Sequence, residues 1–124
     1  MAMLDTHIAV ALYQGKTQGL SRQALAMIDS EPLLLSPAVL LELELLQEIG
    51  RTRHGAAAVA GYLAEQLDIP CASERFAEVV RHALPLGFTR DPFDRLIVAH
   101  AALLRRPLIT QDGLLRQHYP LALA

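Results

Sequence analysis

"DPFDRLIVAHAALLR", residues 91–105, followed by "PLIT", residues 107–110, decides how the chain is read. The first segment reads as a helix. Asp91 suits the N-cap, Pro92 the first helical position, and Asp94 the third, where an acid favours the helix dipole. The second segment is a short apolar strand. Two aspartates three apart also admit a second reading, as oxygen ligands for a cation. On these residues alone the capping role is sufficient, so the rest of the chain must weigh the two.

Working outward, the same alternation recurs. "AMLD" is a brief strand ending in an acid, and "HIAVALYQ" a helix closed by Gly15. "GLSRQALAMIDSE" has helical spacing, with Leu20, Ala24, Met27 and Ile28 on one side. "PLLLS" reads as a buried strand. "SPAVLLELELLQEIG" is the clearest helix, with Ser36 as N-cap, Pro37 in the first turn and Gly50 at the C-terminal cap. "GAAAVAGYLAEQ" is a helix and "DIPCA" a short strand. "SERFAEVVRHAL" is a helix capped by Ser73. "QDGLLRQHY" is a turn with a short helix, and "LALA" a last strand. Short apolar strands alternating with helices predict an α/β fold with a parallel sheet covered on both faces. Ligands of such sheets collect at the carboxyl ends of the strands.

The 124 residues are the size of one ordinary domain, and 52% of them are hydrophobic against 19% charged, enough for a substantial core. One cysteine, Cys71, excludes an intrachain disulfide and fits a reducing, cytoplasmic setting. No apolar stretch spans a bilayer; Pro37, Glu42 and Glu44 interrupt the nearest one. No signal peptide is visible at the N-terminus. The formal net charge of −2 argues against a broad basic coat for nucleic acid. It leaves room for a nuclease whose acids bind divalent cations.

Four acids stand out. Along the helix from Pro37, 100° per residue puts Glu44, Gln47 and Glu48 together. Glu42 points away from them, amid Ala38, Val39, Leu45, Leu46 and Ile49. A carboxylate on an apolar stripe is expensive to bury without a cation, a hydrogen-bond network or a proton. An arginine partner, or a helix facing the core less squarely, would also serve. Asp5 ends the first strand, where it would cap the next helix. Asp112 follows "PLIT", where it would serve a turn before Gly113. Asp94 opens the later helix. In a parallel sheet Asp5, Glu42, Asp94 and Asp112 can meet at one edge. Clustered carboxylates raise one another's pKa unless cations are present, and oxygen-only ligands select Mg²⁺ or Mn²⁺. Such a site suits hydrolysis of a phosphodiester.

Taken in series, "LDTH" (4–7), "SPAVLLELELL" (36–46), "DPFDRLIVAHA" (91–101) and "PLITQD" (107–112) resemble the motifs of the PIN-domain nucleases, in particular the VapC-type toxins of type II toxin–antitoxin pairs. The resemblance implies a three-layer α/β/α PIN-like domain with a central parallel β-sheet, spanning residues 1–124. It implies a Mg²⁺- or Mn²⁺-dependent endoribonuclease with an RNA substrate, a cognate antitoxin partner and a homodimer. Matched residue by residue, Asp5, Glu42, Asp94 and Asp112 are the metal-binding, catalytic acids. Asp91 is an accompanying acid. Thr6 and Thr110, beside motif acids, are candidates to orient a carboxylate, although a local bond to backbone explains them equally well. Arg90 and Arg95 flank the site as RNA phosphate contacts, with solvent exposure or pairing to acids as the alternative.

The remaining chemistry is sparse. The five histidines show no metal-ligand spacing. His100 on its apolar helix reads as a satisfied core histidine, while His7, next to the first acid, can reach toward a substrate. Cys71 reads as a buried structural thiol. No Gly-rich phosphate loop is present. Two rivals remain: an inactive RNA- or protein-binding module of the same fold, and a receiver-like phosphoacceptor domain. The latter needs a lysine late in the sheet, whereas Lys16 is the only lysine.

Overall fold

The computed structural model describes residues 1–124. Four strands, β1 (Ala2–Leu4), β2 (Leu33–Leu34), β3 (Leu108–Ile109) and β4 (Ala122–Leu123), form one sheet in the order β2-β1-β3-β4. Every pairing is parallel, and Met3 lies opposite both Leu34 and Leu108. Successive strand residues point to opposite faces. Ala2, Met3 and Leu4 are nevertheless all fully buried, as are Leu108 and Ile109. The centre of the sheet is therefore covered on both sides, as the apolar runs predict.

Seven helices supply that cover: α1 (Thr6–Gln14), α2 (Arg22–Ser30), α3 (Pro37–Glu48), α4 (Ala56–Leu67), α5 (Phe76–Ala83), α6 (Pro92–Leu104) and α7 (Gly113–His118). α1, α3 and α4 pack on one another, α5 lies along α6, and α3 also meets α6. Met3, Leu4, Ile8, Leu43, Leu63 and Ile97 are among the largest side chains of the main core. Gly15 ends α1 with φ +70°, a left-handed conformation that glycine adopts without a Cβ penalty. No helix is long and apolar enough to cross a membrane.

The strands are only two or three residues long, so each hands over almost at once to a helix. β1 runs into Asp5 and α1, and β2 into Ser36 and α3. β3 runs into Thr110, Asp112 and α7. From β1 the chain first builds outward to β2, then returns to lay β3 on the other side of β1. The carboxyl ends of β1 and β3 thus flank the point where the order reverses, the place where open α/β sheets form a crevice.

Four local expectations are corrected. Ser73 does not cap α5: the helix begins at Phe76 behind Arg75, with no side-chain cap. "DIPCA" is no strand, because only a single parallel bridge joins Leu35 to Cys71. The Cys71 side chain is exposed, since the chain passes the sheet edge there with only its backbone engaged. α3 faces the core through Val39 and Leu43, while Leu45 and Ile49 are exposed. The helix is rotated from the orientation its apolar stripe suggests, and Glu42 stands at the shoulder between core and solvent.

Candidate active site

Asp5 is the anchor of the crevice. It is 3% exposed and caps α1, its Oδ1 accepting the Thr6 N–H at 2.8 Å. Its Oδ2 accepts the buried Thr110 hydroxyl at 2.6 Å, which ties the end of β1 to the end of β3. The same oxygen lies 3.5 Å from His7 Nδ1, and His7 Nε2 accepts the Gln111 N–H at 2.8 Å. Both threonines read as candidates from sequence therefore orient carboxylates. The Thr6 hydroxyl does so too, donating to Glu42 Oε1 and joining α1 to α3. Glu42 has no arginine partner. The only pairings between oppositely chargeable groups are Met1–Glu31, His7–Asp5 and His100–Glu74.

Asp91 and Asp112 are held by one device used twice. In "TRD" (89–91) the Thr89 hydroxyl oxygen accepts the Asp91 N–H at 3.2 Å. Asp91 Oδ1 then accepts the N–H groups of Phe93 and Asp94, capping α6. In "TQD" (110–112) Thr110 accepts the Asp112 N–H at 3.1 Å, and Asp112 Oδ1 caps α7 through Leu114 and Leu115. The capping reading of Asp91 is thus correct, and Asp112, read from sequence as a turn acid, caps a helix in the same way. Each cap uses one oxygen and leaves the other without a protein hydrogen bond. Thr89 was missed as a support for the site, although the repeated Thr-x-Asp before a helix start is visible in the sequence.

Asp94 accepts no hydrogen bond. Burial, followed by the charges of Asp91, Asp5, Glu42 and Asp112, pushes its carboxyl up to about 7. Glu42 is also raised, mainly by burial; the Thr6 hydroxyl opposes this, and Asp5 and Asp91 add to it. The other four acids singled out from sequence, Asp5, Glu42, Asp91 and Asp112, therefore lie within electrostatic reach of Asp94, with no arginine or lysine pairing any of the five. As the side chains stand, however, no three His, Cys, Asp or Glu are arranged to hold an ion. The donor chemistry and the uncompensated charge suit a hard divalent cation. The side chains are not closed around one: Asp5 and Glu42 turn oxygens toward threonines, and Asp91 and Asp112 turn theirs toward helix ends.

The two flanking arginines differ. Arg90 is exposed. Arg95 is engaged, its Nη2 donating to the carbonyls of Ala83 and Leu84 at the end of α5 at 3.1 and 3.0 Å. That engagement favours a helix-capping role over the phosphate contact read from sequence. Arg95→Ala is expected to lower stability by about 1–2 kcal/mol, or roughly 5 °C in melting temperature. Thermal melting checks this; an unchanged melting temperature with weakened RNA binding would restore the phosphate role.

A family model for the PIN domain matches residues 2–119. The chain belongs to the PIN-domain family. Solved structures share its fold at low identity. VapBC2 from Rickettsia felis, solved bound to a DNA fragment from the promoter of the pair, is 18% identical with a TM-score of 0.65, over 98% of this chain and 95% of that one. A toxin–antitoxin complex from Klebsiella pneumoniae is 18% identical with a TM-score of 0.68, over 100% and 97%. No curated protein matches the sequence. The family and the parallel-sheet architecture expected from the four motifs are borne out for this PIN domain.

Proposed function

We propose that this PIN domain, a single unit over residues 1–124, is a metal-dependent endoribonuclease and the toxin of a type II toxin–antitoxin pair. The observation that carries this is the gathering of five carboxylates at the switch point of the sheet with no arginine or lysine among them; burial first, and then the charges of the other four, lift Asp94 to about 7. Asp5, Glu42, Asp94 and Asp112 would hold Mg²⁺ or Mn²⁺. Asp91 would assist, and Thr6 and Thr110 would aim the carboxylates. The bound cation supplies Lewis-acid stabilisation of the charge developing on the phosphate and leaving oxygen. Arg90 would contact an RNA phosphate. In-line attack by water would leave a 5′-phosphate and a 3′-hydroxyl. The toxin–antitoxin neighbours support an antitoxin partner; a homodimer and action in the bacterial cytoplasm rest on the family resemblance alone.

The test is RNA cleavage by purified, partner-free protein with Mn²⁺ or Mg²⁺, with a chelator control. Cleavage that needs the metal supports the proposal. Metal-independent RNA binding without cleavage supports the inactive binding module.

Stability offers a second check. Millimolar Mn²⁺ is expected to raise the melting temperature at pH 8, because a ligand bound only by the folded state stabilises it. The shift should shrink as pH falls through about 7, where the Asp94 proton competes with the cation. A Mn²⁺ shift equal at pH 5 and pH 8 would place the binding elsewhere.

A further inference from the structure

His100, on α6, is 1% exposed and takes no part in the proposed chemistry. Its Nδ1 lies 2.9 Å from Ser36 Oγ, and its Nε2 lies 2.8 Å from Glu74 Oε1. Ser36 caps α3 by accepting the Ala38 N–H at 3.3 Å. Its hydroxyl proton is then free to be donated to Nδ1, and Nε2–H donates to Glu74. One imidazole joins α6, the start of α3 and the segment leading into α5.

A serine, a histidine and a carboxylate in line invite comparison with a nucleophilic triad. Three observations exclude that role. Ser36 is 2% exposed, and its oxygen is committed to the cap. The next residue, Pro37, has no N–H for an oxyanion. The neighbouring groove, about 280 Å³, is walled mainly by Leu41, Phe76, Val79, Phe93 and Leu96, and no buried side-chain polar atom is left without a hydrogen-bond partner there.

The linkage instead fixes two helices that carry the acids. α3 bears Glu42 and α6 bears Asp94, whose charges repel. His100 to Ser36 is the only side-chain hydrogen bond tying α6 to the α3 helix or its cap. Glu74 steadies the far side of the ring. We infer that His100 is a positioning residue: through Ser36 and Glu74 it sets the spacing of Glu42 and Asp94 at the carboxylate site. This rests on the site proposed above.

The test compares wild type, His100→Ala, His100→Gln and Glu74→Ala by Mn²⁺ binding in electron paramagnetic resonance, thermal melting and RNA cleavage. His100→Ala is expected to weaken Mn²⁺ binding about tenfold or more and to lower kcat at saturating Mn²⁺. His100→Gln, whose amide both donates and accepts, is expected to keep most of the affinity. Glu74→Ala, at a part-exposed position, should lose an intermediate amount. If His100→Ala does not fold, Glu74→Ala decides by the same readouts. Alanine variants that melt lower yet bind Mn²⁺ and cut RNA like wild type would reduce the role to packing and overturn the inference. Wild type that neither binds Mn²⁺ nor cuts RNA would overturn the site itself, and this role with it.

Discussion

Asp94→Asn is expected to abolish metal-dependent RNA cleavage, by at least about a hundredfold, and to make the metal-free protein more stable at pH 8. The stability gain follows from the raised carboxyl. An unfolded aspartate titrates near 3.9, whereas burial and the four neighbouring acids move Asp94 to about 7. Between those values the folded state holds the proton more tightly than the unfolded one. Stability is therefore full below about 4, falls as pH rises toward 7, and stays low above it. Taken at face value the shift is worth about 4 kcal/mol. Asp94 is only half-buried, so solvent screening reduces this to about 1–2 kcal/mol. Asparagine removes the repelling charge at the cost of a few tenths of a kcal/mol in helix-dipole interaction. A gain of roughly 5 °C at pH 8, shrinking toward pH 4, is the expected melting result. An aspartate that merely favours the helix start would give the opposite: cleavage retained and stability slightly reduced.

Asp5 should behave differently, because it is structural and chemical at once. Asp5→Ala removes the cap of α1 and leaves the Thr110 hydroxyl without its acceptor inside the core. A lost cap costs about 1 kcal/mol, and an unpaired buried hydroxyl about 1–3 kcal/mol. A loss of about 3 kcal/mol, more than 10 °C in melting temperature, is expected together with loss of cleavage. Asp5→Asn keeps an acceptor for the Thr6 N–H, and the Thr110 oxygen can accept from its amide. It should recover most of the stability and none of the cleavage. Near-normal cleavage by a folded Asp5→Asn would remove Asp5 from the proposed site.

The contrast between these two acids shows what was legible in the sequence. Local signals carried the helix starts at Ser36, Asp91 and Pro92, because a cap is a bond between near neighbours. The parallel sheet was legible because apolar runs too short for helices recur between helices. Ser73 misled because a serine before a helical pattern is a cap only if the helix begins there, and here it begins at Phe76. The rotation of α3 was hidden for a different reason. Its stripe of leucines is wider than the core it meets, and only the packing of α1, α4 and α6 decides which part is buried. The candidate acids were legible one at a time. Their mutual reach was not, since Thr6 to Glu42 and Asp5 to Thr110 join residues 36 and 105 apart. The linkage of His100 to Ser36 and Glu74 had no short-range signature at all.

The hydroxyl bond between Asp5 and Thr110 also has a temporal side. Asp5 is synthesised well before its partner, since Thr110 follows 105 residues later. β1 cannot acquire its partner β3, nor Asp5 its second hydrogen bond, until then. A growing chain therefore carries every early acid of the crevice without a crevice. On the proposed reading as a nuclease, activity has to wait until β3 has been made.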